Sequence, residues 1–271
     1  ARIPVAHLHG GEATEGLIDE PIRHSVTKMS HLHFVAAEEY RRRVIQLGED
    51  PSRVFRVGGV GIDNILRLPL LDRDALEEAL DFRLGPRNLL VTFHPVTLEY
   101  QTSEAQMREL LAALDGLKET HLIFTMPNAD TDGRVLFRQI EQFVADRPHT
   151  CAHNSLGQLR YLSCLQHVDG VVGNSSSGLA EVPTMKIGTV NIGDRQRNRL
   201  KADSVIDCEP TREAIGAALE RLYSEEFQAM LPSVRNPYGE GGASDRIVEV
   251  LELVELEGIL KKKFYDLPGT E

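Results

Sequence analysis

Short apolar runs alternate with longer amphipathic segments from the first residues of the chain onward. In the first part, apolar runs at 3–9, 32–37 and 53–57 predict strands. Apolar positions at helical spacing predict helices at 19–30 and 38–47. This alternation is typical of an α/β fold that contains a parallel sheet.

A second and longer alternation begins at residue 88. Its predicted strands lie at 88–93, 121–125, 170–172, 189–192 and 204–206. Its predicted helices lie at 104–114, 134–145, 156–166, 211–224 and 243–256. The two series predict two α/β domains, joined by a segment that is richer in proline, charge and leucine.

The predicted domain boundaries follow from these two series. We expect half of a Rossmann-like domain at 1–65, a linker with a short helix at 66–87, a second Rossmann-like domain at 88–242, and a closing helix and tail at 243–271. The first series holds three predicted strands, whereas a doubly wound sheet usually has about five or six. We therefore interpret 1–65 as the second half of a domain whose first half is absent from this sequence.

The composition bears on which partners the chain can bind and on its cellular compartment. The chain has 271 residues and a net charge of −11, so we expect no nucleic-acid surface, which needs a basic patch. No apolar run reaches the ~20 residues that cross a bilayer, so we expect no membrane association. Three widely spaced cysteines, Cys151, Cys164 and Cys208, fit unpaired thiols in a reducing compartment. We therefore expect a cytoplasmic protein.

Polar, turn-rich loops follow five of the predicted strands. They are HGGE at 9–12, HPVT at 94–97, MPNAD at 126–130, GNSSSG at 173–178 and GDRQR at 193–197. Ligands of open parallel sheets bind beyond the carboxyl ends of the strands. The shared placement of these loops therefore predicts a ligand cleft at this edge.

The loop GNSSSG predicts a phosphate site. Serine hydroxyls, backbone N–H groups and the positive end of a following helix all suit an anion. Glu181 lies six residues past Ser175, within reach of a ribose or sugar hydroxyl. The alternative is that Ser175 or Ser176 only caps the helix. Because the chain has no Walker lysine and no G-x-G-x-x-G motif, the positive charge must come from elsewhere, and His94 and Arg195 are candidates.

The segment 7–25, HLHGGEATEGLIDEPIRHS, gathers three histidines and four carboxylates directly after the first predicted strand. One interpretation is a metal site on His7 and His9, with Glu12 and His24 as further ligands. The strand, loop and helix positions of these residues do not by themselves make them converge.

The other interpretation of this segment is acid–base chemistry without a metal. Glu12 and Asp19 are candidate proton carriers together with His9. Arg23, one helical turn past Asp19, is a candidate electrostatic partner. We expect Glu20 to be merely solvated.

Six segments resemble the UDP-N-acetylglucosamine 2-epimerase family, and more narrowly its hydrolysing branch in sialic-acid and related nonulosonic-acid synthesis. They are AHLHGGEATEGLIDEPIRHSVTKMSHLHF, RVIQLGEDPSRVFRVGGVGIDNI, TFHPVTLE, TMPNAD, VGNSSSGLAEVP and VNIGDRQRNR. They occur in the family's order and span the chain to about Pro237. The resemblance implies the GT-B fold class, with two Rossmann-like domains around a cleft. It also implies that a leading part of the family fold, on the order of a hundred residues, is absent here.

The resemblance further implies roles for individual residues. The implied nucleotide contacts are His94 to the diphosphate, Asn128 to the nucleotide, Ser155 to the uracil, Ser175 and Ser176 to phosphate, Glu181 to the ribose hydroxyls and Arg195 to the pyrophosphate or sugar. The implied catalytic residues are His9, Glu12, Asp19, Arg23 and His94.

The implied reaction converts UDP-N-acetylglucosamine or a related UDP-sugar, with water, into an N-acetylmannosamine-type sugar and UDP. Loss of UDP from C1 and of the C2 proton gives a glycal, which water then hydrates with inversion at C2. No metal and no cofactor is implied, because the reaction involves no net redox change. The implied partners are the UDP-N-acetylamino sugar, UDP and a second copy of the chain in a homodimer or homo-oligomer.

Three alternatives stay open at this point. They are a non-hydrolysing UDP-N-acetylglucosamine 2-epimerase, a metal-dependent hydrolase that uses His7 and His9, and a UDP-sugar-binding module without catalysis. HGGE and the short loop before IDEPIRH favour the hydrolysing branch. The sugar also stays open, between N-acetylglucosamine and a 2,4-diacetamido-6-deoxy sugar.

Overall fold

The computed structural model describes residues 2–14, 19–95, 102–127 and 133–269. The chain divides into two compact units, Ala1–Arg67 with Pro237–Glu271, and Leu68–Asn236. Each unit is built on its own parallel sheet. Among the described residues, no helix is both long and apolar enough to pass through a membrane.

The first unit is built around three parallel strands. These are β1 (Ala6–Leu8), β2 (Leu32–Val35) and β3 (Val54–Arg56), with helices α1 (Asp19–Met29), α2 (Glu38–Gln46) and α3 (Val60–Arg67). The strands pair in the order β1-β2-β3, and every residue of the central strand β2 is buried. Helix α2 buries Tyr40 and Val44, one turn apart, and leaves its charged residues at least partly exposed.

The second unit contains a larger sheet and more helices. Its strands are β4 (Arg87–Thr92), β5 (Thr120–Thr125), β6 (Thr150–His153), β7 (Gly170–Gly173), β8 (Gly188–Ile192) and β9 (Val205–Cys208). Its helices are α4 (Arg73–Leu80), α5 (Ser103–Asp115), α6 (Gly133–Ala145), α7 (Gly157–His167), α8 (Ser177–Ala180), α9 (Arg212–Leu222) and α10 (Glu225–Met230). The strands pair in parallel in the order β6-β5-β4-β7-β8-β9.

The strands of the second sheet are nearly continuous apolar runs, as expected where a parallel sheet is covered on both faces. All of β8 is buried, and in β4 only Arg87 is exposed. Leu89 and Val91 of β4 belong to one large core cluster with Met107 and Leu110 of α5. This packing fixes the positions of the strands, and therefore the points at which the loops after them begin.

The strand order of this sheet reverses beside β4. The chain runs outward from β4 through β5 to β6 and then returns to β7 on the other side of β4. After β4 and after β7 the chain therefore continues in opposite directions along the sheet, and doubly wound sheets bind ligands at this switch point. His94 lies in the first of these loops, and Asn174 lies in the second.

The last helix, α11 (Ala243–Leu253), belongs to the first unit. The carboxylate of Asp63 accepts hydrogen bonds from the backbone N–H groups of Ala243 at 3.1 Å and Ser244 at 2.7 Å. Asp63 thereby satisfies backbone donors at the start of α11. The hydroxyls of Tyr40 and Tyr238, 3.0 Å apart, tie the segment before the helix to α2.

The structure confirms the predicted strands and helices and adds others. The added strand is β6, the added α-helices are α3 and α10, and short 3-10 helices are added at Pro51–Arg53, Val182–Met185 and Leu231–Ser233. Strand β6 gave no clear signal because all four of its residues are only half-buried. The helix predicted within 66–87 is α4, where the Asp72 carboxylate accepts a hydrogen bond from the Ala75 N–H at 2.9 Å. The domain boundaries at 65, 87 and 242 stay predictions, because the division into two compact units does not identify Rossmann-like domains or a linker.

Candidate functional site

One side chain in the second unit fixes the loop after β4 to the loop after β7. Oδ1 of Asn174 accepts a hydrogen bond from the His94 backbone N–H at 2.7 Å, and Nδ2 of Asn174 donates to the His94 carbonyl at 2.8 Å. Asn174 is 1% exposed, so water hardly competes for these hydrogen bonds. This two-way clamp holds His94 at the switch point of the sheet.

The loop after β8 is bonded to the same residue. The Asn174 carbonyl accepts hydrogen bonds from Nη1 of Arg195 at 3.0 Å and from Nε2 of Gln196 at 2.8 Å. Gln196 is buried, and Arg195 is half-buried. The structure thus links two predicted site residues, and we call His94, Asn174 and Arg195 the switch-point cluster.

Gly173 allows the β7 loop to approach β4 this closely. Its φ is +140°, and a Cβ at this position would lie 1.8 Å from the carbonyl oxygen of Thr92. Only glycine is compatible with this contact. Close packing of the two strands therefore explains why position 173 is a glycine, whether or not a ligand binds here.

Ser175 and Ser176 lie in the turn that leads into α8. The Ser175 hydroxyl accepts a long hydrogen bond from the Ser177 N–H at 3.4 Å. Ser175 therefore does bond to the backbone at the start of α8, as the capping alternative proposed. Ser176 occupies the N-cap position, and in the described structure its side chain makes no capping hydrogen bond. Because α8 has four residues, hydroxyls and backbone N–H groups rather than a long helix dipole are the donors that an anion can use here.

A chain of hydroxyl groups ends at Glu181. The Tyr161 hydroxyl donates to Oγ of Ser177 at 2.6 Å, and Ser177 donates to the Glu181 carboxylate at 2.5 Å. Burial raises the pKa of Tyr161, so its hydroxyl stays protonated at neutral pH. These contacts orient Glu181, whereas its contact with ribose stays a prediction.

The two other predicted nucleotide contacts are Asn128 and Ser155. Asn128 lies outside the described residues. Ser155 is exposed in the loop after β6, where its hydroxyl accepts a hydrogen bond from the Gly157 N–H at 3.2 Å. Since β6 is two strands away from β4, Ser155 follows a strand roughly 10 Å from the one that carries His94.

In the first unit, His9 and Glu12 form a pair in the turn after β1. Nδ1 of His9 lies 3.1 Å from Oε1 of Glu12. The backbone of His9 has φ +63°, and its N–H donates to the Phe34 carbonyl at 2.9 Å. Glu12 is 6% exposed, whereas the His9 side chain is 38% exposed. The pair therefore joins a carboxylate withdrawn from water to an imidazole that solvent reaches.

Helix α1 holds this turn from two positions. Nη1 of Arg23 donates to the Thr14 hydroxyl at 2.9 Å and to the Glu12 carbonyl at 3.4 Å. The Glu20 carboxylate accepts hydrogen bonds from the Thr14 N–H at 2.5 Å and from the Thr14 hydroxyl at 3.2 Å. Asp19, by contrast, is exposed at the first residue of α1.

The expectation that Glu20 is merely solvated is wrong. Its second oxygen lies 3.0 Å from Nε2 of His24, one helical turn later. Burial raises the pKa of Glu20, but hydrogen bonds from Thr14 and His24 outweigh this effect and hold the pKa below its ordinary value. Glu20 is a structural carboxylate, and its i, i+4 spacing to His24 was the available signal.

The histidines proposed as metal ligands have separate partners. Nδ1 of His7 lies 3.1 Å from the Thr27 hydroxyl, and His24 contacts Glu20. Burial lowers the pKa of His7, which favours the neutral ring. Within the described ranges, no three His, Cys, Asp or Glu side chains come together to hold a metal ion. The metal interpretation therefore has no ligand set in this part of the chain.

Sequence reasoning missed three residues that organise the second unit. Asn174 and Gln196 lie inside loops that the sequence singled out, but their neighbouring serines and arginines attracted the functional interpretation. Tyr161 lies in the middle of α7, where an aromatic residue usually indicates core packing. In each case the decisive contact joins segments that are far apart in the sequence.

Comparisons with known proteins agree with this architecture. The model of the UDP-N-acetylglucosamine 2-epimerase family matches residues 1–252. The hydrolysing GDP/UDP-N,N'-diacetylbacillosamine 2-epimerase of Campylobacter jejuni is 40% identical over 98% of this chain and 69% of its own length. The polysialic acid biosynthesis protein P7 of Escherichia coli is 40% identical over 98% of this chain and 68% of its own length. The hydrolysing UDP-N,N'-diacetylbacillosamine 2-epimerase of Legionella pneumophila is 33% identical, with coverages of 96% and 67%.

The chain thus spans about two thirds of the length of these relatives. Among solved structures, UDP-GlcNAc 2-epimerase from Neisseria meningitidis bound to UDP-GlcNAc aligns with a TM-score of 0.79 and 17% identity, over 93% of this chain and 70% of that one. The S. aureus MnaA–UDP co-structure aligns with a TM-score of 0.75 and 15% identity, over 98% and 73%. These likenesses confirm the predicted α/β fold of GT-B type. The chain belongs to the UDP-N-acetylglucosamine 2-epimerase family, in the branch that contains its hydrolysing members.

Proposed function

We propose that this chain catalyses the hydrolysing 2-epimerisation of a UDP-N-acetylamino sugar. One sugar nucleotide and one water molecule give UDP and the free sugar inverted at C2. The observation that carries the proposal is the switch-point cluster, which fixes a histidine and an arginine at the carboxyl edge of a parallel sheet. It occurs in a chain whose relatives in C. jejuni and L. pneumophila are named hydrolysing 2-epimerases.

The second unit is proposed to bind the diphosphate. His94 and Arg195 supply cationic or N–H donors, and Ser175 and Ser176 supply hydroxyl and backbone donors. As the C1–O bond breaks, negative charge builds up on the β-phosphate, and donors fixed in advance stabilise that charge without reorganising. The clamp on His94 and the hydrogen bond from Arg195 to Asn174 support this role, because both hold a donor before any ligand arrives.

The same unit is proposed to contact the nucleoside. Glu181 accepts hydrogen bonds from the ribose hydroxyls, and its anchoring by Ser177 supports this role. Ser155 and Asn128 are assigned to the uracil and the nucleotide on the resemblance alone.

The first unit is proposed to supply the acid–base groups. Glu12 takes the proton from C2, and its burial and its contact with His9 support the choice of this carboxylate. His9 returns a proton to C2 of the glycal, and Arg23 holds the turn that carries both residues. Asp19 is the second candidate for the base, although it is exposed at the start of α1.

The proposed steps balance in atoms and electrons. The C1–O bond breaks with its electron pair going to UDP, and the C2–H electron pair forms the C1–C2 double bond of the glycal while the proton goes to the base. Water then adds its hydroxyl group to C1. A proton adds to C2 from the face opposite to the one that lost its proton, and this inverts C2. The chain's own groups need only transfer protons and stabilise charge.

We also propose that the sugar carries an N-acetyl group at C2 and that the chain acts as a homodimer or homo-oligomer in the cytoplasm. The three cysteines are free and widely spaced in the sequence, and this supports a reducing compartment, where disulfides are rare. Light scattering after size exclusion measures the oligomeric state directly.

The test of the reaction is a coupled assay of UDP release on two sugar nucleotides, UDP-N-acetylglucosamine and UDP-2,4-diacetamido-6-deoxyglucose. We expect stoichiometric UDP and a free sugar that NMR shows to be inverted at C2, with deuterium at C2 when the solvent is D2O. A non-hydrolysing epimerase leaves the sugar attached to UDP. A binding module binds UDP in calorimetry and releases none, and either result contradicts the proposal.

A further inference from the structure

We propose that Asn174 is a positioning residue, which holds His94 and Arg195 where the substrate diphosphate needs them. The inference rests on the proposed function, because that function assigns the diphosphate to these two side chains. Asn174 is nearly inaccessible, and its side chain is directed at the backbone of His94. It therefore acts on the ligand through its neighbours.

The side-chain half of this role requires an amide. The His94 N–H needs an acceptor and the His94 carbonyl needs a donor, and Asn174 supplies one of each at 2.7 and 2.8 Å. A carboxylate of the same shape can serve only the N–H, and it places negative charge against the carbonyl. The clamp joins loops 80 residues apart in the sequence, so it sets the position of the β4 loop relative to β7.

The backbone carbonyl of Asn174 positions Arg195. The Asn174 carbonyl accepts hydrogen bonds from Arg195 and Gln196, so both of its lone pairs are engaged. The orientation of this peptide therefore determines where the Arg195 guanidinium lies. Loss of the clamp frees the Asn174 backbone to rotate, so one substitution is expected to displace His94 and Arg195 together.

Asn88 provides a matched control in the same unit. Its Oδ1 accepts a hydrogen bond from the Gly85 N–H at 2.8 Å, and its Nδ2 donates to the Gly85 carbonyl at 3.0 Å. Asn88 is also buried, at 3% exposed. It lies near the amino end of β4, the opposite edge from His94. Asn88→Ala therefore removes the same pair of hydrogen bonds without touching the switch-point cluster.

The experiment compares UDP binding by calorimetry, steady-state turnover and urea unfolding for wild type, Asn174→Ala, Asn174→Asp and Asn88→Ala. We expect the two alanine variants to lose similar stability. We expect only the Asn174 variants to bind UDP at least about tenfold more weakly, with a lower kcat and with Asn174→Asp the more impaired. Because Asn174→Asp keeps the shape of the side chain, it tests the inference even if Asn174→Ala folds poorly.

A double-mutant cycle separates positioning from general destabilisation. If Asn174 orients Arg195, then Arg195→Ala must cost less UDP affinity in the Asn174→Ala background than in wild type. Additive losses, or UDP affinity in Asn174→Ala equal to that in Asn88→Ala, overturn the inference. If wild type itself fails to bind UDP, the proposed function fails first, and that outcome is distinct.

Discussion

Nε2 of His33 lies 2.9 Å from Oε2 of Glu49 inside the first unit. The same carboxylate contacts Nζ of Lys28 and Nζ of Lys262, each at 2.6 Å. Lys262 also donates to the Ser30 carbonyl at 2.6 Å, just past the end of α1. Glu49, at 1% exposed, therefore joins β2, α1 and the C-terminal tail through one buried carboxylate.

Replacing Glu49 should destabilise the first unit strongly. Glu49→Gln leaves Lys28 and Lys262 without their shared counter-charge and weakens the hydrogen bond of the neutral His33 ring. Breaking a buried ion pair on one side costs about 3 kcal/mol or more. Urea unfolding followed by circular dichroism measures the change. Glu38→Gln is the matched control, because its ion pair with Arg41 at 3.5 Å is only half-buried and is expected to contribute less than about 1 kcal/mol. Equal losses in the two variants would contradict the structural role of Glu49.

The same pair predicts how stability depends on pH. Burial lowers the pKa of His33 to about 4 from its ordinary 6.5, although Glu49 opposes this effect. Between these values the unfolded chain binds more protons than the folded chain, so the free energy of unfolding rises with pH. The slope is at most about 1.4 kcal/mol per pH unit. The contribution is complete above pH 6.5 and is lost as pH falls toward 4.

The measurement is the free energy of unfolding between about pH 5 and about pH 6.5, for wild type and His33→Gln. Wild type should gain stability with rising pH, and the variant should show a flatter profile. Glu49 acts in a lower window, since burial raises its pKa but Lys262 and Lys28 hold it below its ordinary value of 4.5. A wild-type profile that is flat or falls over this interval would contradict the assignment to His33.

Much of this fold could be predicted from the sequence, because its strands are short apolar runs. A parallel sheet covered on both faces buries nearly every position of its inner strands, so these strands appear in the sequence as continuous apolar runs such as 88–93 and 189–192. The edge strand β6 could not be predicted in this way, since its residues Thr150–His153 are only half-buried.

The candidate site could be predicted only in part, for a related reason. The carboxyl ends of parallel strands share one edge, so the loops of His94, Ser175 and Arg195 could be placed there from the order of elements. The sequence does not show which residue of a loop bonds to the neighbouring loops. Asn174 bonds to partners 80 and 21 positions away, and no local pattern contains such contacts.

Glu12→Gln should stop catalysis while leaving UDP binding largely intact. The substitution keeps the size of the side chain but removes the proposed base, and acid–base groups typically contribute about a hundredfold to ten-thousandfold in rate. Calorimetry with UDP and the coupled release assay separate the two effects. Asp19→Asn is measured in parallel, and we expect the smaller loss there because Asp19 is exposed. Normal turnover in Glu12→Gln would remove this residue from the mechanism.

His94→Ala and Arg195→Ala should each weaken the binding of UDP. A hydrogen bond to a charged group contributes about 1.5–3 kcal/mol, which corresponds to roughly a tenfold to hundredfold change in Kd. Arg197→Ala is the control, because Arg197 lies in the same loop but is exposed. Calorimetry with UDP at two ionic strengths should show a weaker salt dependence for Arg195→Ala than for Arg197→Ala. Unchanged affinity in both site variants would refute the diphosphate assignment.

Gly173→Ala should disrupt the switch point of the second sheet. Gly173 pairs with Thr92 across β7 and β4, and a Cβ would lie 1.8 Å from the Thr92 carbonyl oxygen. Relief of this overlap requires the two central strands to move apart, in addition to the strain of alanine at φ +140°. We therefore expect a loss of stability above about 4 kcal/mol, which is large enough to prevent folding in many domains.

Gly193→Ala separates this steric effect from backbone strain. Gly193 also has a positive φ, +72°, but a Cβ there would meet nothing within 4 Å. Its substitution should cost only the left-handed strain, about 1–2 kcal/mol, and should leave the strands in place. The urea midpoints and the yield of folded protein compare the two variants. If Gly173→Ala unfolds at the same urea concentration as Gly193→Ala, then close approach of β7 to β4 is not what requires glycine at position 173.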